Sequence, residues 1–160
     1  MKPKKTWLEK LHTDHGLPKV EPLPPRLQAQ YGRGTLLIAA PREVDALMKK
    51  VARGRLTTID ALRAALARRH RATVTCPLTT GIFANLAARA AEEAAAAGKK
   101  RVTPYWRTLK ARGELNARFP GGLAVLRSRL QAEGHTIEVR GKRMFVVDYE
   151  RRLARLEADG

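Results

Sequence analysis

Apolar positions recur at helical spacing through the middle of this 160-residue chain and at strand spacing near its end. In APREVDALMKKVARG (40–54), Val44, Leu47, Met48 and Val51 share one helical face. Pro41 suits the first helical position, Glu43 and Asp45 the first turn, and Gly54 the stop. TTIDALRAALARRH (57–70) predicts a second helix, with Thr57 and Asp60 as a capping box and Leu62, Ala65 and Leu66 buried. CPLTTGIFANLAARAAEEAAAAG (76–98) predicts a longer one, capped by Thr79 or Thr80, with Ile82, Phe83, Leu86 and Ala90 inward and Gly98 ending it. GGLAVLRSRLQAEGH (121–135) predicts a fourth, with Leu123, Leu126 and Leu130 inside and Gly134 as its stop. HTIEVRGKRMFVVDYE (135–150) reads as a hairpin whose tip, Arg140-Gly141-Lys142-Arg143, is basic. YERRLARLEADG (149–160) adds a last amphipathic helical turn or two.

Residues 1–34 lack this periodicity. GLPKVEPLPPRLQAQYGRG (16–34) is rich in Pro and Gly, which predicts an extended basic arm. One short helix is expected around Trp7–Leu11, where Trp7 and Leu11 could pin the arm down. The expected organisation is an arm over 1–34, a helical domain over 35–134, and a hairpin with a C-terminal helix over 135–160. The fold class is mainly α with a small β-hairpin. Two helices joined by a turn, followed by a basic hairpin, have the outline of a winged helix-turn-helix.

Charge changes what such a domain is for. Thirty-two Lys and Arg against 15 Asp and Glu give a net +17 and a pI near 11.1. The excess peaks in the middle of the chain, so it belongs to a folded surface and points to a polyanionic partner. No apolar run reaches the roughly 18–20 residues that span a bilayer, and no apolar core follows the basic start. The expectation is a soluble, cytoplasmic monomer without a membrane partner.

Reactive chemistry is sparse. No metal cluster, glycine-rich phosphate loop or Ser-His-Asp spacing is apparent, so neither metal nor cofactor is expected. The single Cys76 excludes an internal disulfide. It precedes a helix start, where the helix dipole can lower a thiol pKa, and His70 and His135 are the nearest candidate bases. The alternative is a small buried residue. The segment 101–122, RVTPYWRTLKARGELNARFPGG, has the look of an active site yet holds no Cys, Ser, His or Asp.

The segments GRLTTIDALRAAL (54–66), PLTTGIFANLAARA (77–90), PYWR (104–107) and GELNARFPGGLAVLRSRLQAEG (113–134) carry a resemblance. In order and spacing they are similar to the C-terminal domain of the O6-alkylguanine-DNA alkyltransferases, from about Pro41 to Gly134. The resemblance implies a winged helix-turn-helix that binds DNA through the minor groove and rotates a damaged guanine out of the stack. In that family the alkyl group passes to the cysteine of a Pro-Cys-His-Arg motif. The neighbouring histidine helps deprotonate the cysteine, and a glutamate orients the histidine.

Carried over, Pro104 matches the motif proline and Arg107 its arginine. Tyr105 stands at the nucleophile and Trp106 at the histidine. A phenol with a pKa near 10 is a poor nucleophile, and indole has no basic nitrogen, so the family's transfer cannot run there. Gly81 stands at the family's intercalating arginine and Ile59 at its helper tyrosine. Arg89, two turns further along the helix, is not placed to substitute. Glu133 is kept: it could pair with Arg107, cap a backbone amide, or stay solvated. In the loop that closes over the flipped base, Phe119 replaces a tyrosine and Pro120 a serine, ahead of Gly121 and Gly122. Tyr105, Trp106 and Phe119 then either offer a stacking surface for a base or fill the vacated pocket as core.

A cysteine-less branch, the alkyltransferase-like proteins, binds alkylated DNA without repairing it and marks it for excision repair. The resemblance therefore implies a non-enzymatic reader of alkylated double-stranded DNA, nucleoid-associated, with excision-repair proteins as partners. Two other readings stand beside it: an enzyme using Cys76, and a winged-helix regulator of ordinary DNA. In the third, Thr79, Thr80 and Asn85 would read or position on the groove, with Lys99, Lys100, Arg101, Lys142 and Arg143 on phosphates; Thr57, Thr58 and Gly81 are further DNA-binding candidates.

Overall fold

The computed structural model describes residues 4–156. In chain order the elements are α1 (Trp7–Leu11), β1 (Lys19–Pro22), α2 (Pro25–Tyr31), β2 (Thr35–Ile38), α3 (Pro41–Lys49), β3 (Thr57–Thr58) and α4 (Ile59–His70). Then follow β4 (Val74–Thr75), α5 (Pro77–Ala96), β5 (Thr108–Leu109), α6 (Gly122–Ala132), β6 (Ile137–Arg140) and β7 (Arg143–Val146). Single 3-10 turns cover Tyr105–Arg107, Ala111–Gly113 and Tyr149–Arg152. The architecture is mixed α/β, which corrects the mainly α expectation.

Two small sheets beyond the expected hairpin account for the difference. β1 runs antiparallel to β2, and β2 parallel to β4. β3 and β5 form a two-residue parallel pair, and β6–β7 is the expected hairpin. Residues 16–34 therefore hold a strand and a helix where an extended chain was expected. The expected helix α1 docks on α5: the Trp7 and Leu8 amides donate to the Glu93 carboxylate at 3.0 and 3.2 Å. That bond satisfies two of the amides a helix start leaves free, and Leu11 is buried beneath them.

The helical core follows the sequence pattern in α3, α4 and α6. Val44, Leu47, Met48, Leu62, Leu66, Leu126 and Leu130 are all buried. Three expectations are corrected. Thr58, not Thr57, caps α4, accepting from the Ala61 amide at 3.0 Å. α5 starts at Pro77, so Thr79 and Thr80 lie inside its first turn, and the Thr80 hydroxyl donates back to the Cys76 carbonyl at 2.7 Å. Its buried face is alanine (Ala84, Ala87, Ala88, Ala90, Ala91), while Ile82 points to solvent and Phe83 and Leu86 are half-buried. Small side chains let α1, α3 and α4 approach this helix closely, which a larger inward residue would prevent.

The C-terminal segment closes the structure. Leu56 accepts from the Ala154 amide and donates to the Arg152 carbonyl at 2.8 and 2.9 Å. The expected last helix is a 3-10 turn over Tyr149–Arg152, and the remainder of that expectation, residues 157–160, lies outside the described residues. No helix among the described residues is long and apolar enough to cross a membrane. The face assignment of α5 has a direct test in chemical denaturation. Ala88→Leu should overpack the core and cost about 1–3 kcal/mol, whereas Ile82→Ala should change stability by less than about 0.5 kcal/mol.

Candidate nucleic-acid interface

Pro104 precedes a 3-10 turn that points Trp106 and Arg107 one way and Tyr105 the other. Arg107 and Trp106 converge on Glu133 at the end of α6. The Arg107 Nε donates to Oε1 at 2.8 Å and its Nη2 to Oε2 at 2.9 Å, while the Trp106 indole N–H donates to Oε2 at 2.8 Å. The Gly54 amide reaches Oε1 at 3.4 Å, and Arg107 Nη1 donates to the Val51 carbonyl at 2.7 Å. Glu133 thus pairs with Arg107 and also caps a backbone amide. The solvated alternative is excluded, since its side chain is only 5 % exposed.

A carboxylate at a helix C-terminus opposes the dipole, and burial alone pushes its pKa up. The donors from Arg107, Trp106 and Gly54 outweigh burial and hold Glu133 below the ordinary carboxylate range. Trp106 takes the hydrogen bond that the resemblance gives to the family's histidine. Its donor is kept, but its ring has no lone pair with which to accept a proton.

Tyr105 points the opposite way, into the core, with no exposed surface. Its hydroxyl donates to the Glu92 carboxylate at 2.6 Å and lies 3.4 Å from the Pro120 carbonyl. Burial first, then Glu92, pushes the phenol well above its ordinary value. Its ring meets Trp106 and Phe119 edge-on at 5.4 and 5.6 Å, a favoured aromatic geometry. Phe119 is also buried. Two of the three rings proposed as a stacking surface therefore act as core, and only Trp106 remains partly open. Arg129 lies 4.2 Å from the Trp106 ring centre.

The Gly-Gly pair is structural. Gly121 (φ 85°) has a left-handed backbone, and a Cβ there would meet the Val125 side chain at 2.8 Å. It lets the 113–120 loop turn tightly into α6 and cover Tyr105.

The expected groove and phosphate residues separate in space. Thr57 is buried in β3 with its hydroxyl unpartnered, Thr58 is a cap, and Thr80 is buried. Burial thus corrects Thr57 and Thr80 as groove contacts, while Thr58 stays half-exposed. Thr79, Gly81 and Asn85 stay on the first turns of α5, where Gly81 and Asn85 border a cleft of about 510 Å3 shared with Lys110, Asn116 and Arg118. Arg143 is exposed and makes two bonds to Glu114 at 2.7 and 3.0 Å. Those bonds, against the opposing pull of burial, hold Glu114 below the ordinary carboxylate range. Lys142 remains exposed at the hairpin tip.

Lys99, Lys100 and Arg101 follow the far end of the 20-residue α5. They line a second cleft of about 600 Å3 with Trp106, Arg107 and Arg129. Cys76 packs beside Leu23, Leu36 and Val74. His70 bonds to Glu43 instead, and His135, with Nε2 unpartnered, stands beside Glu133. The sequence reading missed Glu92, Lys110, Asn116, Arg118 and Arg129. Glu92 and Glu93 are the only acids in α5, and two adjacent carboxylates in an alanine helix were the available signal.

No protein-family model and no curated protein matches this chain. Its structure is similar to the crystal structure of S. pombe Atl1 in complex with damaged DNA containing O6-carboxymethylguanine. The TM-score is 0.50 at 15 % identity, over 72 % of this chain and 94 % of that one. The chain thus has the alkyltransferase-like fold that the motifs implied, at an identity that speaks for fold alone.

The buried Glu133–Arg107 pair gives an acid signature. A carboxylate whose folded pKa is depressed contributes stability above its unfolded pKa, near 4.5, that is lost as pH falls through the folded value. Glu133→Gln should cost about 3–5 kcal/mol at neutral pH by leaving Arg107 buried and unpaired. Urea unfolding as a function of pH should then show a shallower acid loss in the variant than in the wild type.

Proposed function

We propose that this chain is a non-enzymatic double-stranded-DNA-binding protein of the alkyltransferase-like type that recognises alkylated DNA. The observation that carries this is the position of Tyr105 and Trp106. They stand where the resemblance puts a nucleophile and its base, and each is tied to a carboxylate, Glu92 or Glu133, that holds it in place. The net charge of +17 supports a DNA partner, as does the likeness to a structure whose partner is damaged DNA. α4 and α5 act as the helix-turn-helix, the first turns of α5 face the groove, and the β6–β7 hairpin serves as the wing with Lys142 at the backbone. The protein acts as a monomer on nucleoid DNA in the cytoplasm, and excision-repair proteins remain its partners by analogy.

The burial of Tyr105 and Phe119 favours one second reading, a winged-helix protein for undamaged DNA, because it withdraws two of the three rings from a flipped base. Matched duplexes with and without O6-methylguanine separate the readings, with the intact protein mass taken afterwards. The alkylated duplex should bind more tightly and the protein gain no methyl mass. With around six phosphates neutralised, affinity should fall roughly three decades between 50 and 200 mM salt. Equal affinity for both duplexes would remove the damage reading, a sharp sequence preference would favour the second, and a methyl on Cys76 would restore the enzyme.

A further inference from the structure

The two most exposed large apolar side chains among the described residues stand together. Leu78 is 70 % exposed and Ile82 54 %, one turn apart at the start of α5. Between them Gly81 has no side chain, and nothing lies within 4 Å of where a Cβ would be. Single exposed apolar residues are ordinary on protein surfaces. Two on adjacent turns beside an open notch form a protruding apolar edge.

That edge borders a cationic cleft. Leu78 and Ile82 line the cleft of about 510 Å3 that also holds Lys110 and Arg118. Lys110 lies 3.7 Å from Glu114, and the Arg118 guanidinium makes no ion pair or hydrogen bond among the described residues. Asn85, on the next turn, has a buried Oδ1 without a donor. The occupant of such a surface must offer negative charge outside and apolar faces within reach, and on a chain of net charge +17 a base step of duplex DNA meets both conditions.

We propose that Leu78 and Ile82 form an apolar wedge that enters a base step of bound duplex DNA and unstacks it, with Lys110 and Arg118 on the flanking phosphates. Leucine and isoleucine wedges of this kind kink duplexes bound by minor-groove architectural proteins. The proposal rests on the DNA-binding reading above and supplies its recognition principle. A step weakened by an alkylated base opens at lower cost than an intact one. The protein would then sense damage as deformability, without a flipped base stacked on the buried Tyr105 or Phe119.

The test uses the full-length chain and duplexes carrying 2-aminopurine, which brightens on unstacking, beside an O6-methylguanine or a plain guanine. The wild type should raise the fluorescence on binding, more for the alkylated duplex. Leu78→Ser/Ile82→Ser should lose the rise and the damage preference while keeping salt-dependent binding, and Leu78→Met/Ile82→Leu should restore both. Both positions are exposed, and circular dichroism melts confirm that each variant folds. Binding without a rise overturns the wedge alone. So does a rise that persists in the double serine variant, which would return the pair to a protein-facing surface. Absence of duplex binding overturns the wedge together with the reading on which it rests.

Discussion

The buried carboxylate of Glu133 is the joint through which the rest of the site is held. It accepts from Arg107, Trp106 and the Gly54 amide, so it ties the end of α6 to the aromatic turn and to the loop after α3. Arg107 extends the joint to the Val51 carbonyl, and Arg53 reaches the last carbonyls of α6 through Ala132 at 3.0 Å. A charge at this depth persists only with its donors in place. Once Trp106 and Arg107 are committed to Glu133, the short turn leaves Tyr105 one direction, toward Glu92 and Phe119.

That constraint separates geometry from reactivity. Glu133 accepts from an indole N–H, a donor on a ring with no basic nitrogen. Tyr105 is a phenol whose proton is held more tightly than usual. Together the two carboxylates and their donors act as a brace. What it braces is the loop 113–121 and, through Glu114 and the Leu115 amide bonded to Met144 at 2.9 Å, the β6–β7 hairpin. The surfaces that can meet a polyanion lie around this brace, at the first turns of α5, at the hairpin tip and at the basic end of α5.

Much of this was readable in the chain. Leucine and valine at helical spacing placed α3, α4 and α6 on their correct faces, and the hairpin followed from its basic turn. The alanine helix misled, because alanine is equally at home inside and outside. Ile82 was assigned inward on hydrophobicity, while the close approach of α1 and α3 required Ala84, Ala87 and Ala91 there. The cap lies at Thr58 and not Thr57 because Asp60, which suggested a capping box, pairs with Arg63 instead, and Pro77 moved the start of α5 ahead of its threonines. The strands at β3–β5 and β2–β4 are parallel pairs between distant segments, and two-residue strands leave no period to read. At the site, PYWR marked the turn, but whether its rings opened outward depended on Glu92, whose role no spacing reveals.

The proposal that this chain binds DNA with Trp106 and Arg107 still held on Glu133 is tested most directly by the Trp106 indole proton. NMR hydrogen exchange, with Trp106→Phe to separate its signal from Trp7, reads the bond to Glu133 in the free protein and on an alkylated duplex. The account predicts a protected proton in both states. Rapid exchange on the alkylated duplex would contradict it, because the turn would then be opening to admit the base.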